Sequence, residues 1–336
     1  MFTLQDLSPE AARLCLDVDN FIRRELNLEI KGKIILIAFS GGVDSTGLAL
    51  FCRAMQDRWQ SRIYAAHLDH NLRAESGPQA RAAHEFCVSL EIPCIHGSTG
   101  VRRYANRMGL GIEEAGRRLR YRFLRGVQRK TGADLLLTGH HLNDLAEDSL
   151  LRQLRGTGWP ALAGMPAWNP ESALLRPFLL TPKARLVRFV QNLDVSWQED
   201  PSNLDPGYKR NRIRQNILPG LLAENPNYLE CVAQLWRQAR LDATFWSTEL
   251  QGLGRFEQTG PGRVSIERVG LEEAPPALRL RWYRDIIQRL GPGQPRAGTL
   301  FDLDRAWMQG STGKILQFPG GKRAEVRRHG ICFSSE

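Results

Sequence analysis

The sequence predicts an α/β protein: a domain built on a parallel sheet, then a helical linker region, then a small α+β domain at the C-terminal end. Three observations predict this organisation. Apolar, β-branched runs alternate with amphipathic stretches up to residue 154, the composition becomes rich in Pro, Gly and Trp after Gly158, and strand-like runs return from residue 315. Strands that alternate with helices favour a parallel sheet, because each helix returns the chain to the end where the next strand begins.

Four strands and four helices are predicted in the first part of the chain. The buried strands are expected at residues 33–39, 63–68, 92–95 and 134–138, from runs such as KIILIAF. The helices are expected at residues 45–55, 78–90, 111–130 and 143–154. Ligands of such sheets bind at the carboxyl ends of the strands, so the residues just after a strand are candidate site residues.

Helices dominate the structure predicted after residue 182. They are expected at residues 182–193, 208–221 and 225–251, and the Gly-containing stretch 252–262 is typical of a linker. The tail has two helical stretches and ends in strand-like runs at 315–318 and 324–328. The predicted domains are residues 1–220, a helical linker at 221–262, and a C-terminal domain at 263–336.

The composition favours a globular protein with a polyanionic partner. Of the 336 residues, 42% are apolar, which is enough for a core and argues against global disorder. The formal net charge is +10, and a basic excess favours nucleic acid because phosphate contacts release condensed counterions. On charge alone, a basic protein that binds no nucleic acid stays equally open.

The sequence contains no recognisable targeting signal. No run of about 18 apolar residues occurs, and the first residues lack the basic and then apolar pattern of a signal peptide. The six cysteines are irregularly spaced and form no C-x-x-C pair, as expected of buried free thiols in a reducing compartment. We therefore predict a cytoplasmic protein that does not span a membrane.

The most specific local signal directly follows the first predicted strand and opens the next helix. It consists of Ser40, Gly41, Gly42, Val43, Asp44 and Ser45. The two glycines let the backbone approach a ligand closely, and a helix start presents free N–H groups to an anion. A carboxylate would repel phosphate on its own, but Asp44 fits the loop if Mg²⁺ lies between them. The loop therefore predicts a phosphate site, against the alternative of an ordinary strand-to-helix turn.

This loop resembles the PP-loop of the ATP pyrophosphatase superfamily, whose members share an adenine nucleotide alpha hydrolase-like fold. Neither the lysine of a Walker A loop nor the G-x-G-x-x-G spacing of a Rossmann fingerprint is present. Enzymes of the superfamily break ATP between the α- and β-phosphates and transiently adenylate a substrate oxygen. The resemblance implies that the six residues bind ATP through the departing pyrophosphate and that Asp44 holds Mg²⁺.

Four further stretches resemble the bacterial tRNA(Ile)-lysidine synthetases in their order and spacing. They are residues 67–73 (HLDHNLR), 113–121 (EEAGRRLRY), 139–158 (from GHHLNDLAE to LRGTG) and 197–214 (from WQEDPSN to YKRNRIR). The tail, with FPGG at residues 318–321, is similar to the C-terminal tRNA-contacting domain of that family. The resemblance covers residues 33–220 strongly and residues 263–334 loosely.

The resemblance implies a ligase that depends on ATP and Mg²⁺ and acts on RNA. Such an enzyme adenylates the C2 carbonyl of the wobble cytidine in the CAU anticodon of tRNA(Ile), and free L-lysine then displaces AMP to give lysidine. The implied partners are this tRNA and free lysine, and the family also offers a homodimer as an option.

The resemblance also implies roles for four further side chains. Arg117 and Arg210 match active-site arginines of the family, and guanidinium groups suit phosphate oxygens. Asp144 and Glu147 match its lysine-binding acids, and their spacing of three places them on one helix face. On sequence alone, such a pair is more often a solvated helix face. Asn143 stands where many members carry Asp, which leaves its role open.

Several alternatives remain open from the sequence. The basic stretch 117–130 could follow RNA phosphates along one helix flank, or extend its arginines into solvent. Two histidine pairs, at 67/70 and 140/141, lack further ligands at zinc-like spacing, and His67 and His140 are expected at strand ends. The adenylating fold could instead serve thiolation of a tRNA cytidine, or the chain could be a basic RNA-binding protein without catalysis.

Overall fold

The structure, a computed structural model, describes residues 2–70, 76–198, 207–252 and 256–335. Contacts divide the chain into two compact units. Unit 1 consists of Met1–Glu147 and Met165–Ala233, and unit 2 consists of Asp148–Gly164 and Gln234–Glu336. The chain changes unit after residues 147, 164 and 233, and the first and last of these positions lie inside helices. The predicted boundaries at 220 and 262 therefore differ from this division and stay predictions.

Unit 1 contains a six-stranded sheet. Its strands are β1 (Ile34–Ala38), β2 (Arg62–Asp69), β3 (Cys94–Ser98), β4 (Leu135–Leu137), β5 (Trp168–Asn169) and β6 (Leu174–Leu175). Their order is β3-β2-β1-β4-β6-β5; the first five are parallel, and β5 runs antiparallel to β6. The parallel sheet confirms the predicted fold class. The four predicted strands are β1 to β4, whereas β5 and β6 have two residues each, too few to form a periodic pattern.

The central strands of this sheet are apolar on both faces. Ile35, Leu36 and Ile37 of β1 are fully buried, and Leu136 and Leu137 of β4 are at most 1% exposed. Continuous burial, instead of alternation, is expected of parallel strands that are covered on both sides. This burial anchors the carboxyl end of β1, from which the loop at residues 40–45 leaves the sheet.

Helices alternate with these strands. They are α1 (Pro9–Asn20), α2 (Val43–Trp59), α3 (Ser76–Ser89), α4 (Val101–Met108), α5 (Ile112–Thr131), α6 (Leu142–Leu154), α7 (Lys183–Gln191), α8 (Lys209–Arg212) and α9 (Leu218–Glu224). Both α1 and α4 are additional to the predicted helices. Helix α4 buries only Val101 and Ala105, so its apolar stripe is too short to stand out in the sequence.

The helix predicted at 208–221 is divided into three parts. Helix α8 ends at Arg212, a π-helical turn covers Ile213–Ile217, and α9 begins at Leu218. At the end of that turn, the N–H of Leu218 donates to the carbonyl of Ile213, five residues earlier. Pro219 has no N–H to donate, so it is tolerated in the first turn of α9 and would not suit the interior of one long helix.

Unit 2 combines helices with a five-stranded antiparallel sheet, which agrees with the predicted α+β character. Its helices are α10 (Tyr228–Gly252), which begins in unit 1, α11 (Arg268–Glu273), α12 (Pro276–Arg289) and α13 (Ala297–Met308). Its strands are β7 (Phe256–Gly260), β8 (Arg263–Glu267), β9 (Ile315–Phe318), β10 (Lys322–Arg327) and β11 (Gly330–Ser335). Their order is β7-β8-β11-β10-β9.

Two predictions for this region are wrong. The stretch 252–262 is not a linker throughout, because β7 lies within it and pairs with β8. The tail contains three helices instead of two. Phe256 is the one apolar side chain in the first four residues of β7, so this strand depends on pairing with β8 and gives no pattern of its own.

Two general expectations can be compared with the structure. No helix among the described residues combines the length and the apolar character needed to cross a bilayer. All six cysteines are free thiols, as predicted, and three of them are buried. Burial raises the pKa of the Cys15 thiol to about 12, which keeps it protonated and unreactive.

Candidate active site

The loop at residues 40–45 is organised from within by the hydroxyl of Ser45. Its Oγ accepts hydrogen bonds from the N–H groups of Ser40 and Gly41, both at 3.1 Å, and donates to the Gly42 carbonyl at 3.0 Å. Ser45 is buried, whereas Ser40 is exposed. Val43 is the first residue of α2, whose opening N–H groups have no carbonyl one turn earlier to bind. Ser45 therefore shapes the loop, and its Oγ also shares a 3.1 Å hydrogen bond with the hydroxyl of the exposed Ser40.

Two glycines are required where other chain segments approach this loop. Gly41 has φ +87°, and its carbonyl accepts a hydrogen bond from the Gln198 N–H at 3.0 Å. Gly139, just after β4, lies so close to α2 that an added Cβ would be 2.7 Å from the Asp44 carbonyl oxygen. A side chain at 139 would push the loop away from the sheet. Residues 199–203 of the predicted motif lie outside the described residues.

Asp44 carries an oxygen atom that lacks a partner. The side chain is 36% exposed, but its Oδ1 is buried and accepts no hydrogen bond from the described residues. The nearest cation-forming group is His141, whose Nε2 lies 3.5 Å from that oxygen. An unsatisfied buried carboxylate oxygen is costly unless a ligand completes it, so this atom marks a binding position.

His141 joins the loop to helix α6. Its Nδ1 accepts a hydrogen bond from the Asp144 N–H at 3.3 Å, so the neutral ring carries its proton on Nε2, toward Asp44. The Asp144 carboxylate in turn accepts from the His141 N–H at 3.0 Å. Burial alone would lower the pKa of His141, but attraction from Asp144 and Asp44 outweighs it and raises the pKa. The ring is therefore fixed between two carboxylates.

Four charged side chains form what we term the site cluster: Asp144, Glu147, Arg210 and Arg214. Arg210 donates from Nε to Glu147 at 2.7 Å and from Nη2 to Asp144 at 3.0 Å. Arg214 donates to Glu147 from Nε at 2.6 Å and from Nη2 at 3.0 Å, and its Nη2 reaches Asp144 at 3.3 Å. The carboxylates are buried, with 11% and 1% of their side chains exposed, whereas 27% and 30% of the arginine side chains are exposed.

Burial and the charges in and around this cluster shift the pKa values of Asp144 and His140. Burial would raise the pKa of Asp144, but His141 and Arg210 attract its charge and lower the pKa well below the usual range. Burial lowers the pKa of His140 to about 3, and nearby arginines, Arg176 and Arg120 among them, add to the effect. His140 also shares a 2.8 Å hydrogen bond with the Thr138 hydroxyl at the end of β4. At neutral pH, Asp144 is therefore ionised and His140 is neutral.

The structure brings together some of the predicted residues and not others. Asp44, Asp144, Glu147 and Arg210 all belong to one connected set through His141. Arg117 is exposed, lies over the Tyr121 ring at 5.1 Å, and forms no ion pair with a described carboxylate. The carboxylate pair is not a solvated helix face, because both side chains are buried against arginines.

Sequence reasoning missed His141 and Arg214. Of the doublet at 140/141, the sequence predicts only His140 at a strand end, lining the nucleotide pocket or packing; the signal for His141 is its position between a strand and a carboxylate pair. Arg214 stands four residues after Arg210, a spacing that places two arginines on one helix flank. Among the described residues, no group of three or more His, Cys, Asp or Glu side chains is placed to hold a metal ion.

Other predicted positions have structural roles. Asn143 accepts a hydrogen bond from the Lys183 N–H at 2.9 Å, so its side chain satisfies the first helical residue of α7. His67 donates from Nδ1 to the Phe39 carbonyl at 3.1 Å, which fastens β2 to the end of β1. The arginines along the flank of α5 are exposed, and Arg118 pairs with Glu114 at 2.7 Å. Residues 71–73 lie outside the described part of the chain.

The chain is similar in sequence to known proteins. Residues 17–221 match the family model described as a PP-loop domain. The chain is 42% identical over 316 residues to the tRNA(Ile)-lysidine synthase of Nitratidesulfovibrio vulgaris, covering 89% of this chain and 91% of that relative. It is 34% identical over 320 residues to the tRNA(Ile)-lysidine synthase of Geobacillus kaustophilus, covering 93% and 68%.

A solved structure shares the fold. The U34-tRNA thiolase NcsA from Methanococcus maripaludis superposes with a TM-score of 0.53 at 16% identity, over 66% of this chain and 77% of that one. At this identity, the likeness shows a common architecture and nothing about the reaction.

Proposed function

The chain belongs to the tRNA(Ile)-lysidine synthase family and is a PP-loop ligase, and from this premise we propose how its residues form lysidine. The enzyme joins free L-lysine to C2 of the wobble cytidine in the CAU anticodon of tRNA(Ile), through an adenylated cytidine. One observation carries the proposal: buried His141 connects Asp44 of the phosphate loop to a carboxylate pair suited to a cation.

In the first step, the C2 carbonyl oxygen of cytidine attacks the α-phosphorus of ATP, and the bond from that phosphorus to the bridging oxygen breaks. Pyrophosphate leaves with the electron pair. No side-chain nucleophile is needed, so the protein has to position the reactants and stabilise charge on the phosphates. The start of α2, with Gly41, Gly42 and Ser40 before it, suits the leaving pyrophosphate.

Asp44 is the residue that would hold Mg²⁺. Its buried Oδ1 lacks a hydrogen-bond partner among the described residues, and a hard cation prefers such an oxygen. Mg²⁺, when bound, would neutralise charge on the phosphate oxygens. His141 lies beside the same carboxylate on the side of α6, with its Nε2 3.5 Å from that oxygen.

In the second step, an amine of lysine attacks C2, the bond from C2 to the AMP oxygen breaks, and the amine gives up a proton. We assign the lysine cation to Asp144 and Glu147, because they are ionisable, buried and adjacent to the loop. Arg117 and Arg210 are assigned to the α-phosphate. Arg210 contacts both acids, so it lies between the two substrates in this assignment.

The remaining parts of the proposal concern the wider molecule. We assign tRNA contacts to the C-terminal domain predicted at 263–336, whose basic excess suits phosphates. The proposal includes a cytoplasmic location and leaves a homodimer as an option carried over from the family.

The test is a labelled-lysine assay with tRNA(Ile), ATP and Mg²⁺. We expect label in the RNA and one AMP and one pyrophosphate for each lysine joined. AMP release that needs a sulfur donor would favour thiolation instead, and RNA binding without nucleotide turnover would favour a non-catalytic protein. Formation of ADP would contradict the proposal outright, because the loop would then serve a different bond of ATP.

A further inference from the structure

The geometry points to a role for Arg214 that lies outside the reaction as outlined: we propose that it is a latch. The latch is a guanidinium group that occupies the lysine-binding carboxylates until lysine displaces it. The inference rests on the proposed function, since it takes free lysine as the incoming cation. It makes Arg214 a residue that sets lysine affinity.

Charge balance is the first argument. The site cluster contains two carboxylates, Asp144 and Glu147, and two guanidinium groups, from Arg210 and Arg214, so its formal charge is zero. Glu147 has only 1% of its side chain exposed, so solvent cannot screen an added charge there. All four carboxylate oxygens already accept hydrogen bonds, three of them from the two arginines and the fourth, Asp144 Oδ2, from the His141 N–H. An ammonium group that binds these acids therefore competes with a guanidinium for the same oxygens.

The hydrogen bonds are distributed differently over the two arginines. Arg210 bridges both acids with bonds of 2.7 and 3.0 Å, and it also reaches the Asp144 carbonyl at 3.4 Å. Arg214 is held mainly by Glu147, and its contact with Asp144, at 3.3 Å, is the weaker of the two arginine contacts with that carboxylate. Each arginine makes three of these hydrogen bonds, but the departure of Arg214 leaves the bridge from Arg210 to both acids intact, so we assign the displaced group to Arg214.

The local backbone is the second argument. Arg214 lies in the π-helical turn Ile213–Ile217, whereas Arg210 lies in regular helix α8. A π-helical turn holds one more residue than an α-helical turn and is frequent at functional sites. Conversion of this turn to α-helical pairing redirects the side chains within it, which would carry Arg214 away from Glu147 while Arg210 stays in place.

A latch of this kind weakens the apparent affinity for lysine. Only enzyme molecules with the latch open can bind lysine. The apparent dissociation constant for lysine is therefore the intrinsic constant divided by the open fraction. Arg214 is tethered next to Glu147 and so competes at a high effective concentration. Removing its guanidinium should therefore make lysine bind more tightly, whereas loss of a purely structural contact would make it bind more weakly.

The experiment measures the lysine KM of Arg214→Ala in the labelled-lysine assay, at saturating ATP and tRNA. For a latch that is closed about nine-tenths of the time, we expect the lysine KM to fall about tenfold. Guanidinium chloride should then increase the lysine KM of the variant toward the wild-type value, because free guanidinium can bind where the Arg214 guanidinium was. Sodium chloride at the same concentration should have a smaller effect. The wild-type enzyme should respond equally to the two salts.

Two variants accompany this test. Arg214→Lys keeps a positive charge with a single contact point, so its lysine KM should fall between those of the wild type and Arg214→Ala. It also serves if the alanine variant does not fold. Arg212→Ala removes a guanidinium from the same region that donates to the Gly207 carbonyl at 3.0 Å, among other contacts, and it should leave the lysine KM unchanged.

Each outcome has one meaning. A lower lysine KM that is reversed by guanidinium supports the latch. An equal or higher KM in both Arg214 variants, or a guanidinium effect no larger than that of sodium, overturns it while the proposed function stands. A wild-type enzyme that transfers no lysine to tRNA overturns the proposed function itself.

Discussion

Two clusters of arginine and carboxylate groups, one in each unit, have the same chemistry and differ in what encloses them. The first is the site cluster of unit 1. The second, which we term the core cluster, consists of Arg279, Asp304 and Tyr283 in unit 2. Arg279 donates to both oxygens of Asp304, at 2.7 and 2.9 Å, and to the Ala274 carbonyl at 2.8 Å. The Tyr283 hydroxyl completes the carboxylate at 3.1 Å.

The core cluster is closed and the site cluster is open. In the core cluster all three guanidinium nitrogens of Arg279 are hydrogen-bonded, and only 5% of its side chain is exposed. In the site cluster 30% of the Arg214 side chain is exposed, and its Nη1 has no partner among the described residues. The closed cluster links helices α12 and α13. An open cluster beside an unsatisfied Asp44 oxygen can exchange partners with a ligand.

The largest effect is expected at Asp44, beside the open site cluster. Asp44→Asn should reduce AMP formation by about a thousandfold or more, because the loop loses the charge that would hold Mg²⁺. The measurement is pyrophosphate release with tRNA(Ile) and ATP. Thermal unfolding should change little, since Asp44 contributes no strong contact to the core.

A matched control for this change is Asp17→Asn, which removes an exposed acid paired with Arg185 at 3.0 Å. It should leave pyrophosphate release intact. If Asp44→Asn unfolds unit 1, instead of abolishing pyrophosphate release in a folded protein, the proposed difference between the open and closed clusters is wrong.

The next largest effect is expected in the closed core cluster of unit 2. Arg279→Ala should lower the free energy of unfolding of unit 2 by about 3–5 kcal/mol, because the Asp304 carboxylate, only 13% exposed, loses its counter-ion and keeps only the hydrogen bond from the Tyr283 hydroxyl. Urea unfolding followed by tryptophan fluorescence measures this, since Trp282 lies in the same core. Arg268→Ala, which breaks an exposed pair with Glu272, should cost under about 1 kcal/mol. Equal losses in the two variants would show that enclosure does not matter.

A smaller effect separates the two steps of the reaction. Glu147→Gln should impair lysine transfer about ten- to a hundredfold more than adenylation, because a hydrogen bond to a charged group contributes about 1.5–3 kcal/mol. Single-turnover assays can follow pyrophosphate release and lysine incorporation separately. Equal loss in both steps would remove the assignment of this acid to lysine.

The smallest effect concerns a residue inside the motif that has no assigned chemistry. Asn143→Ala should lower stability by about 1 kcal/mol, because α7 loses the acceptor of its Lys183 N–H. Asn143→Asp should keep that acceptor and the stability. Both variants should retain lysine transfer, and a strong loss of transfer in Asn143→Ala with unchanged unfolding would give this side chain a part in the site.

The sequence by itself determined the features that depend on neighbouring residues. The apolar run of β1, the glycines at 41 and 42 and the start of α2 lie within about a dozen residues, so their conformation follows from local patterns. The parallel sheet followed in the same way, from alternating periodicities. The spacing of Asp144 and Glu147 likewise placed them on one face of a helix before any partner was known.

Only the tertiary structure decided which partners these residues meet. Arg214 binds Glu147 across a separation of 67 residues, and Asn143 meets Lys183 across 40. The π-helical turn and strand β7 were also decided at this level, since neither has a periodic signature of its own. The physical reason is that side-chain contacts and strand pairing depend on how distant elements pack, whereas periodicity records only whether a residue faces a core.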